Sequence, residues 1–348
     1  MALYAFDGTG DKWTSDVPIN DTQKAKNGRY LSNVVLFYKH YLDAGLTGFY
    51  YAGVGSKRNP FDRALGGLLG FGAQGRARAA FRQAQKQFQA NDREIDVIGY
   101  SRGAAIARIF ADKIYREYYK LKDSSGRRLS EPPPIRFIGL FDTVASFGNP
   151  FNDNEVFFDD RIPANAENTF HAMALDFKRY GFGLDRAYGD NVLEVWFRGG
   201  HGDIGGTAKR HDGMPNRART NITLRFMLLK AAACGAQLGQ LPDFEVDEDA
   251  PLDIDSNNRE TDNSRRIRNH DVFHYTVYDN NLPGPLIDAI GEPLASRDKA
   301  VIEERHNEVE VSEQRLLQLT RQLSARYPNT QAIYLELKVA EAFQNRCE

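Results

Sequence analysis

The chain has 348 residues, a length that fits one large α/β domain with insertions. Its 45 basic and 47 acidic residues leave a net charge of −2, which offers no electrostatic basis for binding nucleic acid. The two cysteines, Cys234 and Cys347, make no disulfide framework, and no apolar run approaches the roughly 20 residues of a membrane-spanning helix. With no secretory signal at the N-terminus, we expect synthesis as a soluble cytoplasmic chain.

Predicted strands and helices alternate along the chain, a pattern typical of a mostly parallel sheet with helices on both faces. The predicted strands cover residues 3–6, 48–52, 95–99, 135–141, 193–197 and 272–278. The predicted helices cover residues 33–44, 75–90, 104–119, 166–177, 222–233 and 297–326. The fold class is therefore α/β, and the turns after the first five strands are where such a sheet displays its chemistry.

Three segments interrupt this alternation. Residues 56–75 are rich in glycine yet carry large apolar side chains, which suits either a lid over a site or ordinary packing beneath the next helix. Residues 243–266 are acidic and poor in aromatic residues, so we expect a solvated loop there. The apolar spacing in residues 297–326 predicts a helix docked on the core.

Residues 99–103, with the sequence GYSRG, predict a nucleophile elbow. A β-branched run precedes them and a helix-forming run follows, so Ser101 would lie on a sharp strand-to-helix turn that requires small neighbours. The helix N-terminus would offer the amide of Arg102 to a developing oxyanion. The alternative is a glycine-rich turn with a buried capping serine.

A serine becomes a nucleophile only when a base takes its proton, and the base needs an acid to orient it. The predicted strand 135–141 runs into Asp142, and the strand 193–197 runs into a glycine-rich stretch that carries His201. The order of serine, acid and histidine along the chain is the one that α/β enzymes with an elbow use. The sequence therefore predicts a triad of Ser101, Asp142 and His201.

A second assignment keeps the same chain order, with Asp203 as the acid and His274 as the base. His171 falls within a predicted helix, where a packing or capping role is favoured over catalysis. His201 and Asp203 lack a further histidine or cysteine at ligand spacing, so we predict neither a metal nor another cofactor.

The first predicted strand ends in a tight turn, residues 6–11, beside the elbow. Its Gly8 or Thr9 is a candidate for the second oxyanion donor through a backbone N–H. The alternative is a turn in which Asp7 caps local amides. A phosphate cradle is disfavoured because the lysine of a P-loop is absent.

Six motifs follow one another in order: FDGTG at 6–10, YYAGVG at 50–55, GYSRGA at 99–104, FDTV at 141–144, HAMALD at 171–176 and WFRGGHGDIGG at 196–206. Together they resemble the bacterial and fungal α/β-hydrolase domain whose best-studied members are the first family of type VI secretion lipase effectors. The resemblance implies an α/β-hydrolase fold with loop and helical insertions, and phospholipase activity of the A1 or A2 type. Carried over position by position, it favours Ser101, Asp142 and His201 as the triad.

The resemblance also implies how the protein is used. It implies an antibacterial toxin, delivered by a contractile secretion machine into the periplasm of a target cell and acting on its phospholipid membrane. A secretion-spike protein and a cognate immunity protein are the partners that it implies.

The sequence departs from the family pattern at Gly200 and Gly202, where bulkier residues are usual, and at Thr207, where glycine is common. We expect residues 1–348 to form a single α/β-hydrolase domain. Its part 207–348, which matches poorly, would hold the acidic loop and the C-terminal helices as a small cap or substrate-binding subdomain.

The leading hypothesis is a serine esterase that cleaves glycerophospholipids. A second is a soluble cytoplasmic esterase or thioesterase acting on small acyl compounds, which would show no preference for lipid interfaces. A third is a binding module that uses the hydrolase scaffold without chemistry, and the intact series of serine, acid and histidine argues against it.

Overall fold

A computed structural model describes residues 1–14, 30–55, 68–145, 160–176, 183–238 and 272–274 of the chain. The strands are β1 Ala2–Phe6, β2 Thr47–Tyr51, β3 Ile95–Tyr100, β4 Ile135–Phe141, β5 Thr169–Ala174, β6 Val192–Phe197 and β7 Val272–Phe273. The helices are α1 Asn33–Asp43, α2 Leu68–Gln89, α3 Arg102–Arg116, α4 His201–Gly205 and α5 Arg217–Ala233. One turn of 3₁₀ helix, Tyr118–Lys120, follows α3.

These strands form one parallel sheet in the order β2-β1-β3-β4-β5-β6-β7. The direction in which the chain adds strands reverses between β1 and β3. In sheets of this kind, the carboxyl ends of the strands at such a reversal flank the crevice where ligands bind. The turn after β1 and the turn after β3 are therefore placed for function.

Helices cover both faces of the sheet. On one face α1 and α5 pack against the strands, with Phe37 and Met227 in a shared apolar core. On the other face α2 and α3 do the same, with Phe81 and Phe110 in the second core. The central strands β1, β3 and β4 are buried along their whole length, which accounts for their nearly continuous apolar sequences. The predicted α/β fold, with a parallel sheet and helices on both faces, is confirmed.

The helix predicted over residues 166–177 is wrong, because Thr169–Ala174 forms β5 instead. This strand pairs with β4 on one side and β6 on the other, and all of its residues are buried. A strand buried on both faces needs no alternation of polar and apolar residues, so its alanine- and methionine-containing sequence resembles a helix. Pairing with two neighbours overrides that local preference.

Other predicted elements differ in extent or are not described. Helix α2 begins at Leu68 rather than at residue 75, so the end of the glycine-rich segment 56–75 is helical. Residues 56–67, the acidic segment 243–266 and the helix predicted over 297–326 lie outside the described residues, as does most of the cap predicted over 207–348. Within the described part of the chain, no helix is long and apolar enough to cross a membrane.

Two glycines allow α3 to lie close to the sheet. A methyl group on Gly103 would lie 2.3 Å from the Phe6 carbonyl oxygen and 2.4 Å from that of Asp7. A methyl group on Gly99 would lie 2.6 Å from the Cα atom of Ala104. Because these neighbours are backbone atoms, a side chain at either position would push the helix away from the strands.

We predict that Gly103→Ala lowers the free energy of unfolding by about 2 kcal/mol, the usual cost of overpacking. Gly75→Ala is the matched control, since Gly75 also lies within a helix but a methyl group there would meet nothing within 4 Å. That variant is expected to gain about 0.5–1 kcal/mol, because alanine favours the helix. Urea unfolding followed by circular dichroism measures both, and equal stabilities would contradict the close approach of α3.

Candidate active site

Ser101 lies between β3 and α3 in a backbone conformation that residues other than glycine rarely adopt, with φ of 58° and ψ of −127°. The neighbouring backbone holds it there: the Ser101 amide donates to the Phe141 carbonyl (2.9 Å), and the Ser101 carbonyl accepts from the amides of Ala104 (3.0 Å) and Val144 (3.2 Å). The residue is only 2% exposed. The predicted strand–turn–helix geometry of a nucleophile elbow is therefore present.

Asp142 follows β4 and also has a positive φ, of 42°. Strand β5 anchors it, because the Asp142 amide donates to the Ala172 carbonyl (2.8 Å) and the Ala174 amide donates to Asp142 Oδ1 (2.8 Å). The other carboxylate oxygen, Oδ2, lies 2.6 Å from Nδ1 of His201. A carboxylate accepts here, so the proton of the imidazole lies on Nδ1 and Nε2 is left as an acceptor.

His201 is the first residue of the short helix α4, which follows β6 through a glycine turn. Asp176 accepts hydrogen bonds from the Gly199 amide (2.7 Å) and from Arg198 Nε (2.7 Å), and this holds the turn. Asp203 Oδ2 accepts from the Gly200 amide at 2.9 Å. Both acids therefore fix the backbone that leads into His201.

Tyr100, the residue before Ser101, contacts His201 in two ways. Its ring centroid lies 4.8 Å from that of His201, at an interplanar angle of 33°. Its hydroxyl donates to the His201 carbonyl at 3.2 Å. The pair places the histidine directly beside the elbow. Reasoning from the sequence missed this role, because the residue between Gly99 and Ser101 in an elbow has no fixed identity.

The alternative assignment, Asp203 with His274, is disfavoured by the positions of the two side chains. Asp203 is engaged with the turn before α4, as described above. His274 follows β7, four strands along the sheet from β3, and its ring stacks on Phe197 with centroids 4.5 Å apart. Four strand spacings amount to about 19 Å. Among the described residues, no group of three or more His, Cys, Asp and Glu side chains is arranged to hold a metal ion.

The turn after β1 lies against Tyr100, since a methyl group on Gly8 would come within 2.6 Å of the Tyr100 ring. Asp7 is buried and accepts from the Gly8 amide (2.8 Å), from Ser32 Oγ (2.6 Å) and from the Tyr50 hydroxyl (2.6 Å). Burial raises the pKa of Asp7, while these three hydrogen bonds oppose the rise. The aspartate thus caps one local amide, that of Gly8, as the second interpretation of this turn expected, and it also binds two groups that are distant in the sequence.

Of the two candidate oxyanion donors in this turn, the Gly8 amide is therefore already directed at Asp7 Oδ1. Thr9 Oγ1 accepts a hydrogen bond from Arg102 Nη1 at 2.9 Å, and this links Thr9 to the residue directly after Ser101. The structure thus brings Thr9 and Arg102 together beside Ser101.

A parallel sheet with an elbow after β3, an acid after β4 and a histidine after β6 defines the class of the α/β-hydrolases. Within that class, the sequence profile of the family described as "T6SS, Phospholipase effector Tle1-like, catalytic domain" matches residues 3–117 and 112–230. These residues make up more than half of the chain. The chain therefore belongs to the family of Tle1-like phospholipase effectors of the type VI secretion system, and the resemblance seen in its motifs is confirmed.

No protein of curated function matches the chain. One similar solved structure is described as the Tle1 effector bound to the VgrG spike from the type 6 secretion system, with 20% identity and a TM-score of 0.41 over 62% of this chain and 51% of that one. Another is an uncharacterized protein from Pseudomonas aeruginosa, with 20% identity and a TM-score of 0.44 over 71% of this chain and 47% of that one. The matched region thus spans about half the length of each of those chains.

We predict that His274 makes the protein sensitive to acid. Burial, together with the charges of Arg219, Arg225 and Lys230, lowers the pKa of His274 to about 3. Below about pH 6.5 the unfolded chain binds a proton that the folded protein does not take up until about pH 3, so stability falls by up to about 1.4 kcal/mol per pH unit in this window.

His274→Phe keeps an aromatic ring against Phe197 and removes the titration. Between pH 6.5 and 4, its free energy of unfolding is therefore expected to fall less steeply than that of the wild type. Urea unfolding at several pH values measures the two slopes. Parallel slopes would show that His274 titrates normally in the folded protein.

Proposed function

We propose that this protein is a phospholipase of the A1 or A2 type that hydrolyses a fatty-acyl ester of a glycerophospholipid. Ser101 is the nucleophile, His201 the base and Asp142 the acid that orients the base. The family supports the phospholipase activity. The contact of 2.6 Å between His201 Nδ1 and Asp142 Oδ2 carries the assignment of the residues, because it leaves Nε2 ready to accept a proton.

The reaction follows from these positions. His201 Nε2 takes the proton of Ser101 Oγ as that oxygen attacks the ester carbonyl carbon. The tetrahedral intermediate collapses, His201 returns the proton to the departing glycerol oxygen, and a lysophospholipid leaves. A water molecule, deprotonated by His201, then attacks the acyl-enzyme. The bond to Ser101 Oγ breaks, His201 returns the proton to that oxygen, and the fatty acid is released. Throughout, Asp142 stays ionised and stabilises the imidazolium that forms.

The oxyanion of the intermediate needs donors fixed before the reaction. The Arg102 amide is the first, since it follows the nucleophile at the start of α3. Because the Gly8 amide donates to Asp7, the Thr9 amide is the donor we assign in the turn after β1. The hydrogen bond from the Arg102 side chain to Thr9 would hold that turn in place. One such donor typically lowers the barrier by about 3 kcal/mol.

Membership in a family of secretion-system effectors supports a proposal for where the enzyme acts. Synthesised in the cytoplasm of the producer, it would be carried by a spike protein of the type VI machine into the periplasm of a target cell, where membrane phospholipid is its substrate. An immunity protein would protect the producer.

The direct test uses vesicles of phospholipids that carry different acyl chains at the two glycerol positions, with release of each fatty acid measured by mass spectrometry. Wild type is expected to release fatty acid, and the identity of the chain decides between A1 and A2 activity. Ser101→Ala and His201→Ala should lose nearly all activity, and Asp142→Asn should lose about 10⁴-fold because the asparagine favours the wrong tautomer of His201. Circular dichroism checks that each variant is folded.

Three outcomes would overturn parts of this assignment. Activity in a folded Ser101→Ala would remove the nucleophile. Activity in His201→Ala, lost instead in His274→Phe and Asp203→Asn, would move the base and the acid to that pair. Turnover of a short-chain soluble ester without release from vesicles would indicate a soluble esterase or thioesterase.

We predict that the chain arrests bacterial growth when it is exported to the periplasm and is tolerated when it is kept in the cytoplasm. Export brings the enzyme to membrane lipid at the place where delivery would put it. The exported Ser101→Ala variant, produced at the same level, should be harmless. Growth curves measure the effect, and equal arrest from both compartments would contradict periplasmic action.

A further inference from the structure

His171 lies in the middle of β5 with no exposed surface, directly between β4 and β6. Its Nε2 atom accepts a hydrogen bond from the Thr143 amide at 3.1 Å. An amide can only donate, so Nε2 carries no proton and the single proton of the ring lies on Nδ1. Nδ1 lies 2.9 Å from Glu194 Oε1, to which it donates. His171 thus lies in a strand and not in the helix predicted for this segment.

Glu194 is well suited to hold this tautomer. Its Oε1 atom also accepts from the Ala187 amide at 2.8 Å, and its Oε2 atom accepts from Arg186 Nε. Burial opposes ionisation, but the hydrogen bond from His171 and the charge of Arg186 hold the pKa of Glu194 at about 2. The glutamate is therefore an anion with each oxygen occupied.

Thr143 is the residue directly after Asp142, whose φ of 42° is strained. Its amide binds His171, and its carbonyl accepts from the Asp185 amide at 3.0 Å. Asp142 itself is bound through the Ala172 carbonyl and the Ala174 amide, on the same strand as His171. Strand β5 thus makes three hydrogen bonds to the turn at Asp142 and Thr143. Among these three, only the bond to His171 uses a side chain of the strand.

We propose that Glu194 and His171 form a second acid–histidine pair that positions the catalytic acid, by holding the Thr143 amide and so keeping the Asp142 carboxylate aimed at His201. This rests on the roles of Asp142 and His201 proposed above. His171 is a positioning residue, since it acts through Thr143. The pair resembles Asp142 and His201 in that an acid sets the tautomer, but its unprotonated Nε2 accepts from a backbone amide instead of from a nucleophile.

Two substitutions that differ by one methylene test the proposal. In His171→Gln, the longer amide can accept from Thr143 with its oxygen and donate to Glu194 with its nitrogen. In His171→Asn, the side chain is too short to reach both partners at once. His171→Phe fills the space and serves neither partner.

We predict that His171→Asn and His171→Phe lower kcat on the phospholipid vesicles by about 10²-fold with KM nearly unchanged, because a small displacement of a catalytic group is costly. His171→Gln should keep kcat within about tenfold of the wild type. A second readout is the downfield proton resonance of the His201 Nδ1–H that is bound to Asp142. It should be present in wild type and His171→Gln and weakened or shifted in the other two variants.

These readouts separate positioning from a merely structural role. A structural role would lower the unfolding midpoint of all three variants but leave kcat per folded molecule and the resonance of His201 as in the wild type, and that result would overturn the proposal. If His171→Phe does not fold, the comparison between glutamine and asparagine decides. The resonance needs no substrate, so it tests the positioning even if the wild type hydrolyses no phospholipid.

Discussion

The hydrogen bond from the Ser101 amide to the Phe141 carbonyl, 2.9 Å long, is the interaction on which the rest of the site depends. Strands β3 and β4 pair Tyr100 with Phe141, and this bond extends their ladder one step into the turn. The two residues that follow the strands, Ser101 and Asp142, therefore lie side by side with their positive φ angles. Such strained conformations persist only where the surroundings over-determine them, and here backbone hydrogen bonds from neighbouring strands do so.

His201 follows a strand that is not adjacent to β3 in the sheet. Strand β6 lies three positions from β3 in the sheet, a separation of about 14 Å. The turn through Gly199 and the short helix α4 cover that distance, and α4 packs against the ring of Tyr100. A methyl group on Gly205 would lie 2.0 Å from the Tyr100 ring, so the helix can rest on this ring only because residue 205 has no side chain.

Buried or half-buried carboxylates hold the loops around the site. Asp7 accepts from the Gly8 amide, Asp176 from that of Gly199, Asp203 from that of Gly200 and Glu194 from that of Ala187. Loop amides beyond the ends of strands have no ladder partner, and burial requires that they find one. A charged acceptor makes a shorter and stronger bond than a neutral one, so each carboxylate gives a loop a defined position. The geometry around Ser101, Asp142 and His201 is thus built from several hydrogen bonds of the same kind.

The sequence by itself determined the parallel α/β fold, the elbow at Ser101 and the acid and histidine after later strands, because apolar runs and small-residue turns are local signals. It did not determine β5, since a strand buried on both faces carries no alternation and residues 166–177 suit a helix equally well. It favours Asp142 over Asp203 as the acid, but it cannot show which group each carboxylate contacts. Only the tertiary structure decided that Asp142 meets His201 while Asp203 holds the Gly200 amide. The same holds for the contact of Asp7 with Tyr50 and that of His171 with Thr143, which join distant parts of the chain that the strand order brings within reach.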